Sequence, residues 1–273
     1  MAADDSARRL LAQLAGADAV WVGVQRVDGS GPREVGAWMA VFADTLVGTV
    51  GGGQLEFEAV AHARALLVGQ GVAPRRRFTL GPSLGQCCGG VVWLDFERIG
   101  AADLERLRLK LRDAARAHLP VALFGGGHVG RAIVELLGTL PARTQWIDSR
   151  DEVFPPVLPA NAQAEHSDPV HAAVPMLEPG AHVLIMSFSH AEDLDIVAAC
   201  LKRIREHDDL PYVGLIGSKS KWAAFQHRLQ TRGFSQQELA RITCPIGVAG
   251  VLGKEPEVIA VAVAAQLLQQ RRP

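Results

Sequence analysis

Apolar and polar positions change their rhythm partway along this chain. Residues 4–16 carry Leu10, Leu11 and Leu14 on one helical face, with Gly16 as a stop. Strand-like runs follow at Ala19–Val27, Ala37–Phe42 and Leu46–Val50, the last two turning near Asp44. Gly51-Gly52-Gly53 precedes a helix to about Val68, whose apolar face is Leu55, Val60, Ala63 and Leu67. Arg75–Leu80 and Val91–Phe96 read as two more strands. The glycine-rich loop Gly81–Gly90 lies between them. Asp103–His118 is a charged helix with Leu104, Leu107 and Leu111 along one side.

From Val121 onward, strands alternate with helices, which predicts a parallel sheet with crossover connections. Strands are expected at 121–125, 144–148, 182–187 and 212–216, with a weaker one near 162–165. Helices are expected at about 190–205, 219–232 and 256–270. Asp168-Pro169 reads as a cap with proline at the first helical position. Ser189 with Glu192, and Ser235 with Glu238, have the spacing of capping boxes. The predicted class is α/β: an N-terminal α+β domain (1–100), a linker helix (101–118) and a C-terminal Rossmann-like domain with a mainly parallel sheet (119–273).

One motif anchors the second half. In Val121–Gly130, Gly125, Gly127 and Gly130 fit the spacing of a dinucleotide fingerprint, and His128 lies within the turn. The first glycine permits the turn, the second lets backbone approach a pyrophosphate, and the third lets helix and strand pack closely. Asp148 ends the next strand, eighteen residues after Gly130, where an acid would accept from ribose hydroxyls. These residues are the expected nucleotide site, for NAD in preference to NADP; Arg150 leaves NADP open. A glycine-rich turn that binds nothing is the competing reading.

Composition narrows the classes. The 273 residues are 48% apolar and carry a formal net charge of −1, which gives no case for nucleic acid or an anionic membrane surface. The acidic start lacks a signal-peptide pattern and no apolar run approaches a bilayer span, so a cytoplasmic, soluble protein is expected. Four cysteines, two of them adjacent, suit neither a disulfide framework nor a structural zinc site.

Three first-half loops concentrate polar chemistry: Gly31-Pro32-Arg33-Glu34, Gly51–Glu56 and Gly85-Gln86-Cys87-Cys88-Gly89-Gly90. Arg33 can fork onto a phosphate. Gln54 and Gln86 offer donors and acceptors. A thiol among backbone N–H groups can become a soft metal ligand or nucleophile; equally, a cysteine can be a small buried hydrophobe. Glu56 can simply occupy the first turn of its helix. In the second half, His190, Lys219, Lys221, Cys244 and Lys254 stand where ligands of open α/β sheets bind, although lysines at loop tips are commonly just solvated.

Five motifs in order carry a resemblance: Gly48–Glu56, Leu84–Gly90, Phe124–Gly130, Gly214-Leu215-Ile216-Gly217-Ser218-Lys219 and Cys244-Pro245-Ile246-Gly247. Together they resemble the XdhC/CoxI family, and within it the accessory proteins of xanthine dehydrogenase, from about Trp21 to the last helix. The resemblance implies a chaperone, not an enzyme, that binds the molybdenum cofactor (molybdopterin). It would support sulfuration by a cysteine desulfurase and deliver the cofactor to xanthine dehydrogenase or a related molybdenum hydroxylase. A homodimer is also implied. Carried over by motif, Cys87, Cys88, Gln86, Gly52, Gly53, Gln54, Glu56 and Arg33 are expected to hold the cofactor, with Cys87 or Cys88 facing molybdenum. Where relatives read Met-Thr-His-Ser-His, this chain has Met186-Ser187-Phe188-Ser189-His190, so a two-histidine site is not expected. The alternative is an NAD(P)-dependent oxidoreductase acting on a cofactor or small molecule.

Overall fold

The computed structural model describes residues 3–81 and 89–270. Two compact units divide the chain, Ala3–Ala114 and Ala115 onward. Unit 1 runs α1 (Ala3–Leu14), β1 (Ala19–Asp28), β2 (Trp38–Val41), β3 (Leu46–Gly48), α2 (Gly53–Leu67), β4 (Arg75–Thr79), β5 (Val91–Ile99) and α3 (Leu104–Arg116). Its five strands form an antiparallel sheet in the order β3-β2-β1-β5-β4.

Strand alternation sends successive β1 side chains to opposite faces. Val20, Val22 and Val24 meet Leu55, Ala59 and Ala63 of α2, together with Leu94 and Phe96. Ala19 and Trp21 face the other way, into a second core with Leu10 and Leu14 of α1 and Leu107 of α3. The helix expected as a linker is thereby built into unit 1 by Leu107, while Lys110 lies 4.5 Å over the Trp21 ring. The register of β1 on β5 shifts between Val24 and Arg26, a bulge of the kind that re-aims the strand end.

Unit 2 runs β6 (Leu119–Phe124), α4 (His128–Leu137), β7 (Ala142–Asp148), β8 (Ala162–His166), β9 (His182–Ile185), α5 (His190–His207), β10 (Tyr212–Leu215), α6 (Lys219–Thr231), α7 (Gln236–Leu239), β11 (Ile242–Thr243) and α8 (Pro256–Gln269). All six strands are parallel, in the order β11-β10-β9-β6-β7-β8. Counted from β6, this is the Rossmann strand order. Helices cover both faces, which explains why His182–Ile185 and Tyr212–Leu215 are buried throughout. α5 packs one face and α4 with α8 the other.

Local chemistry departs from the sequence reading at four places. The Asp168-Pro169 pair opens a 3-10 stretch over Val170–Met176, and Pro169 is its cap residue. Ser235 and Glu238, by contrast, form the full capping box that their spacing predicts. Ser189 accepts from the Glu192 N–H, but Glu192 turns its carboxylate to the Phe188 N–H and the Ser149 hydroxyl. β9 stops at Ile185, since Ser187 leaves the ladder to donate its N–H to Asp193 (2.8 Å). The two-residue β11 carries too little pattern to be read beforehand.

His182 shows what burial in this sheet costs. It is 6% exposed, stacks near Tyr212, and its Nδ1 has no hydrogen-bond partner. Burial holds its pKa below the ordinary 6.5, against backbone hydrogen bonds at Gly180 and Pro120 that pull it up. The neutral ring is favoured in the fold, so its contribution is complete above about pH 6.5 and is lost as pH falls through the depressed value. Urea midpoints should fall on acidification below neutrality. His182→Leu should flatten that slope, by at most about 1.4 kcal/mol per pH unit; an unchanged slope would show that other groups set it.

Candidate functional site

The three polar loops of unit 1 are expected from sequence as separate features, and backbone proximity joins them. The Gly29–Val35 loop lies between the other two. A Cβ on Gly51 would sit 2.6 Å from the Pro32 ring, and one on Gly90 would sit 2.1 Å from the Ser30 carbonyl oxygen. Only hydrogen fits at either place. Gly51, Gly52 and Gly53 all have positive φ (126°, 74° and 63°), which glycine adopts without strain.

Glu56 braces this junction. Its Oε2 accepts from the Thr49 hydroxyl (2.5 Å), the Val50 N–H (3.0 Å) and the Gly52 N–H (3.2 Å), and Thr49 in turn accepts from Gly51 N–H. The carboxylate expected to face a cofactor is turned into its own loop. Gly52, the cap residue of α2, makes no side-chain hydrogen bond, and the Glu56 carboxylate of the first turn shares the positive dipole end of the helix. Among the described residues, nothing lies within 4 Å of a Cβ placed on Gly52 or Gly89. The Gly29–Val35 loop, with Val27, lines a cavity of about 540 Å³. Arg33 and Gln54 are exposed. Gln86, Cys87 and Cys88 lie outside the described residues.

In unit 2 the fingerprint glycines have separate jobs. A Cβ on Gly125 would fall 2.0 Å from the Met186 carbonyl oxygen, and one on Gly130 would fall 2.1 Å from that of Gly125. These two glycines let β6, β9 and α4 close on one another. Gly127 faces open space and His128 is exposed. Asp148 is only 1% exposed. It accepts from the Gly126 N–H (2.6 Å), the Arg150 N–H (2.9 Å) and the Arg150 guanidinium (2.9 and 3.0 Å). Burial raises its pKa, but the Arg150 side chain, the two backbone donors and the Arg150 charge together hold it below the usual carboxylate range.

A second cluster occupies the carboxyl edge of the parallel sheet. Lys221 Nζ donates to Asp193 Oδ2 (2.6 Å) and to the Ile216 carbonyl (2.9 Å). Asp193 Oδ1 accepts from Ser187 N–H (2.8 Å) and hydroxyl (2.7 Å). Cys244 Sγ lies 3.9 Å from the Gly217 carbonyl. Burial raises the Cys244 pKa; Lys221 lowers it and Asp193 raises it further. Cys200, fully enclosed, is pushed up to about 12, so it is an inert core thiol.

The expected residues around this edge divide. Cys244 joins the cluster. His190 is exposed beside the Phe225 ring, and Lys219 and Lys254 point to solvent. Of the lysines expected at this edge, Lys221 is the enclosed one, its side chain 12% exposed. The Ser218 cap carries a signal for it, since Ser218 accepts from the Lys221 N–H and so puts Lys221 in the first turn of α6. Among the described residues no group of three His, Cys, Asp or Glu side chains is placed to hold a metal ion. No described helix is long and apolar enough to cross a membrane.

Fold and site together define a two-part α/β protein, with a glycine-loop cradle on an antiparallel sheet and a Rossmann unit after it in sequence. The XdhC Rossmann domain matches residues 121–267, more than half the chain, and the XdhC and CoxI family matches residues 12–78. The chain belongs to the XdhC/CoxI family. It is 27% identical over 248 residues to the uncharacterized protein YqeB of Escherichia coli K12. That match covers 88% of this chain and 41% of the relative, so the chain spans about two fifths of that protein's length. A Bacillus halodurans protein, described as a xanthine dehydrogenase, superposes with a TM-score of 0.79 at 19% identity. The superposition covers 100% of this chain and 97% of that one, a likeness of fold.

Proposed function

We propose that this protein is an accessory carrier that holds the molybdenum cofactor in the unit 1 cradle for a xanthine dehydrogenase-type hydroxylase. The observation that carries the reading is the close packing of Gly51 and Gly90 on the Gly29–Val35 loop, which lines a cavity, with the start of α2 following Gly52. Such a cradle suits the phosphate-bearing end of a pterin. N–H groups at the start of α2 and the Arg33 guanidinium would meet the phosphate. Glu56 would keep the loop in shape through its bonds to Thr49, Val50 and Gly52. When bound, the cofactor supplies a dithiolene-held molybdenum; Cys87 and Cys88 are the soft donors that sequence places next to Gly89-Gly90.

Family membership supports a client of the xanthine dehydrogenase type. Transfer from a cysteine desulfurase and a homodimeric state belong to the same proposal. The reading needs retention and release, not turnover. Its test is anaerobic gel filtration of the full chain with released cofactor. Molybdenum and pterin should co-elute with the protein, and should separate from it in an Arg33→Ala variant by at least a tenfold loss in retention. Folded protein that elutes empty at saturating cofactor would overturn the reading.

A further inference from the structure

We infer that the Rossmann unit of this protein is closed on itself at the ribose position and takes neither NAD nor NADP. The carrier reading does not depend on this, so either can fail without the other.

A dinucleotide needs an accessible carboxylate at the end of the second strand to accept from the ribose diol. Asp148 stands at that place but is not available. Oδ2 takes the Gly126 N–H and Arg150 Nη2; Oδ1 takes the Arg150 N–H and Nε. Four donors leave a carboxylate of about four acceptor sites with nothing to offer. The arginine that would greet a 2′-phosphate is spent in the same clasp. Arg150 is neutralised by Asp148, and its guanidinium lies 4.3 Å over the exposed Phe188 ring.

Space is taken as well as bonding capacity. The segment after β7 folds back over the glycine turn. A Cβ on Gly126 would sit 2.3 Å from Val153 Cγ2, so this segment packs directly on the glycine turn next to Asp148. Arg131 of α4 reaches the Val153 carbonyl (3.4 Å) and ties the segment down. Gly126 is therefore a glycine for the sake of its own chain, and Asp148 is a positioning residue for the turn. The fingerprint spacing survives because Gly125 and Gly130 are needed for packing, whether or not anything binds.

Calorimetric titration of the full chain with NAD⁺, NADH, NADP⁺ and NADPH tests this. No saturable binding is expected up to about 1 mM of each. Binding of any one with Kd at or below about 100 μM would overturn the inference. A second readout addresses the clasp directly. Asp148→Asn and the milder Arg150→Ala should speed amide hydrogen exchange at Gly126 at least tenfold, since the Asp148 bond protects that N–H. Unchanged exchange at Gly126 in both variants would show that the clasp does not hold the turn, and would also overturn it.

Discussion

Lys221→Met should destabilise unit 2 by about 3 kcal/mol, at the lower end of what breaking a buried ion pair costs. The side chains of Asp193 and Lys221 are 3% and 12% exposed. The substitution roughly conserves the aliphatic stem and removes the ammonium. Asp193 would keep the Ser187 N–H and hydroxyl on Oδ1 but lose the only charged partner of Oδ2 among the described residues. A carboxylate left buried without that charge either stays ionised at high cost or takes up a proton. Chemical unfolding of wild type, Lys221→Met, Asp193→Leu and the double variant gives the coupling. The double variant should be more stable than the sum of the single losses by at least about 1.5 kcal/mol. Additive losses, or a single loss under about 1 kcal/mol, would mean that the pair is effectively solvated and the cluster is not a buried network.

That pair also marks the limit of what the sequence discloses. Element types were legible because periodicity is local: the alternation in Val20–Val24 and the glycine stop after α1 need no partner to be recognised. The Rossmann unit was legible for the same reason, its strands being continuous apolar runs between helical stretches. What could not be read were meetings between distant segments. Lys221 and Asp193 are 28 residues apart, in the first turns of two helices, and nothing in either turn names the other. Asp148 shows the converse. Its position at a strand end matches a ribose-binding acid, but Arg150 and Gly126 decide what its oxygens do. Sequence places Glu56 in the first turn of a helix after the three glycines; that it faces inward depends on Thr49 and Val50. Spacing locates a functional group, whereas its free lone pairs are a property of packing.

Two adjacent glycines allow a sharp test of the cradle. Gly89→Ala should be nearly neutral, because among the described residues its Cβ meets nothing within 4 Å. Gly90→Ala should cost about 3 kcal/mol, the upper range for overpacking. Its Cβ would lie 2.1 Å from the Ser30 carbonyl oxygen and 2.9 Å from that of Asp28. These obstacles are backbone, so no rotamer change can relieve them. Gly90 cannot retreat freely either, since its own carbonyl accepts from the Leu80 N–H at 2.8 Å. The Asp28–Gly31 segment must therefore move away and open the cavity wall beside Arg33. Retention of molybdenum and pterin in gel filtration should fall at least tenfold for Gly90→Ala and stay at the wild-type level for Gly89→Ala. If both variants lose the cofactor while only Gly90→Ala loses stability, the Gly89 backbone itself touches the ligand, which would place the cofactor against open space at Gly89. If neither loses it, the cradle is not where the cofactor is held.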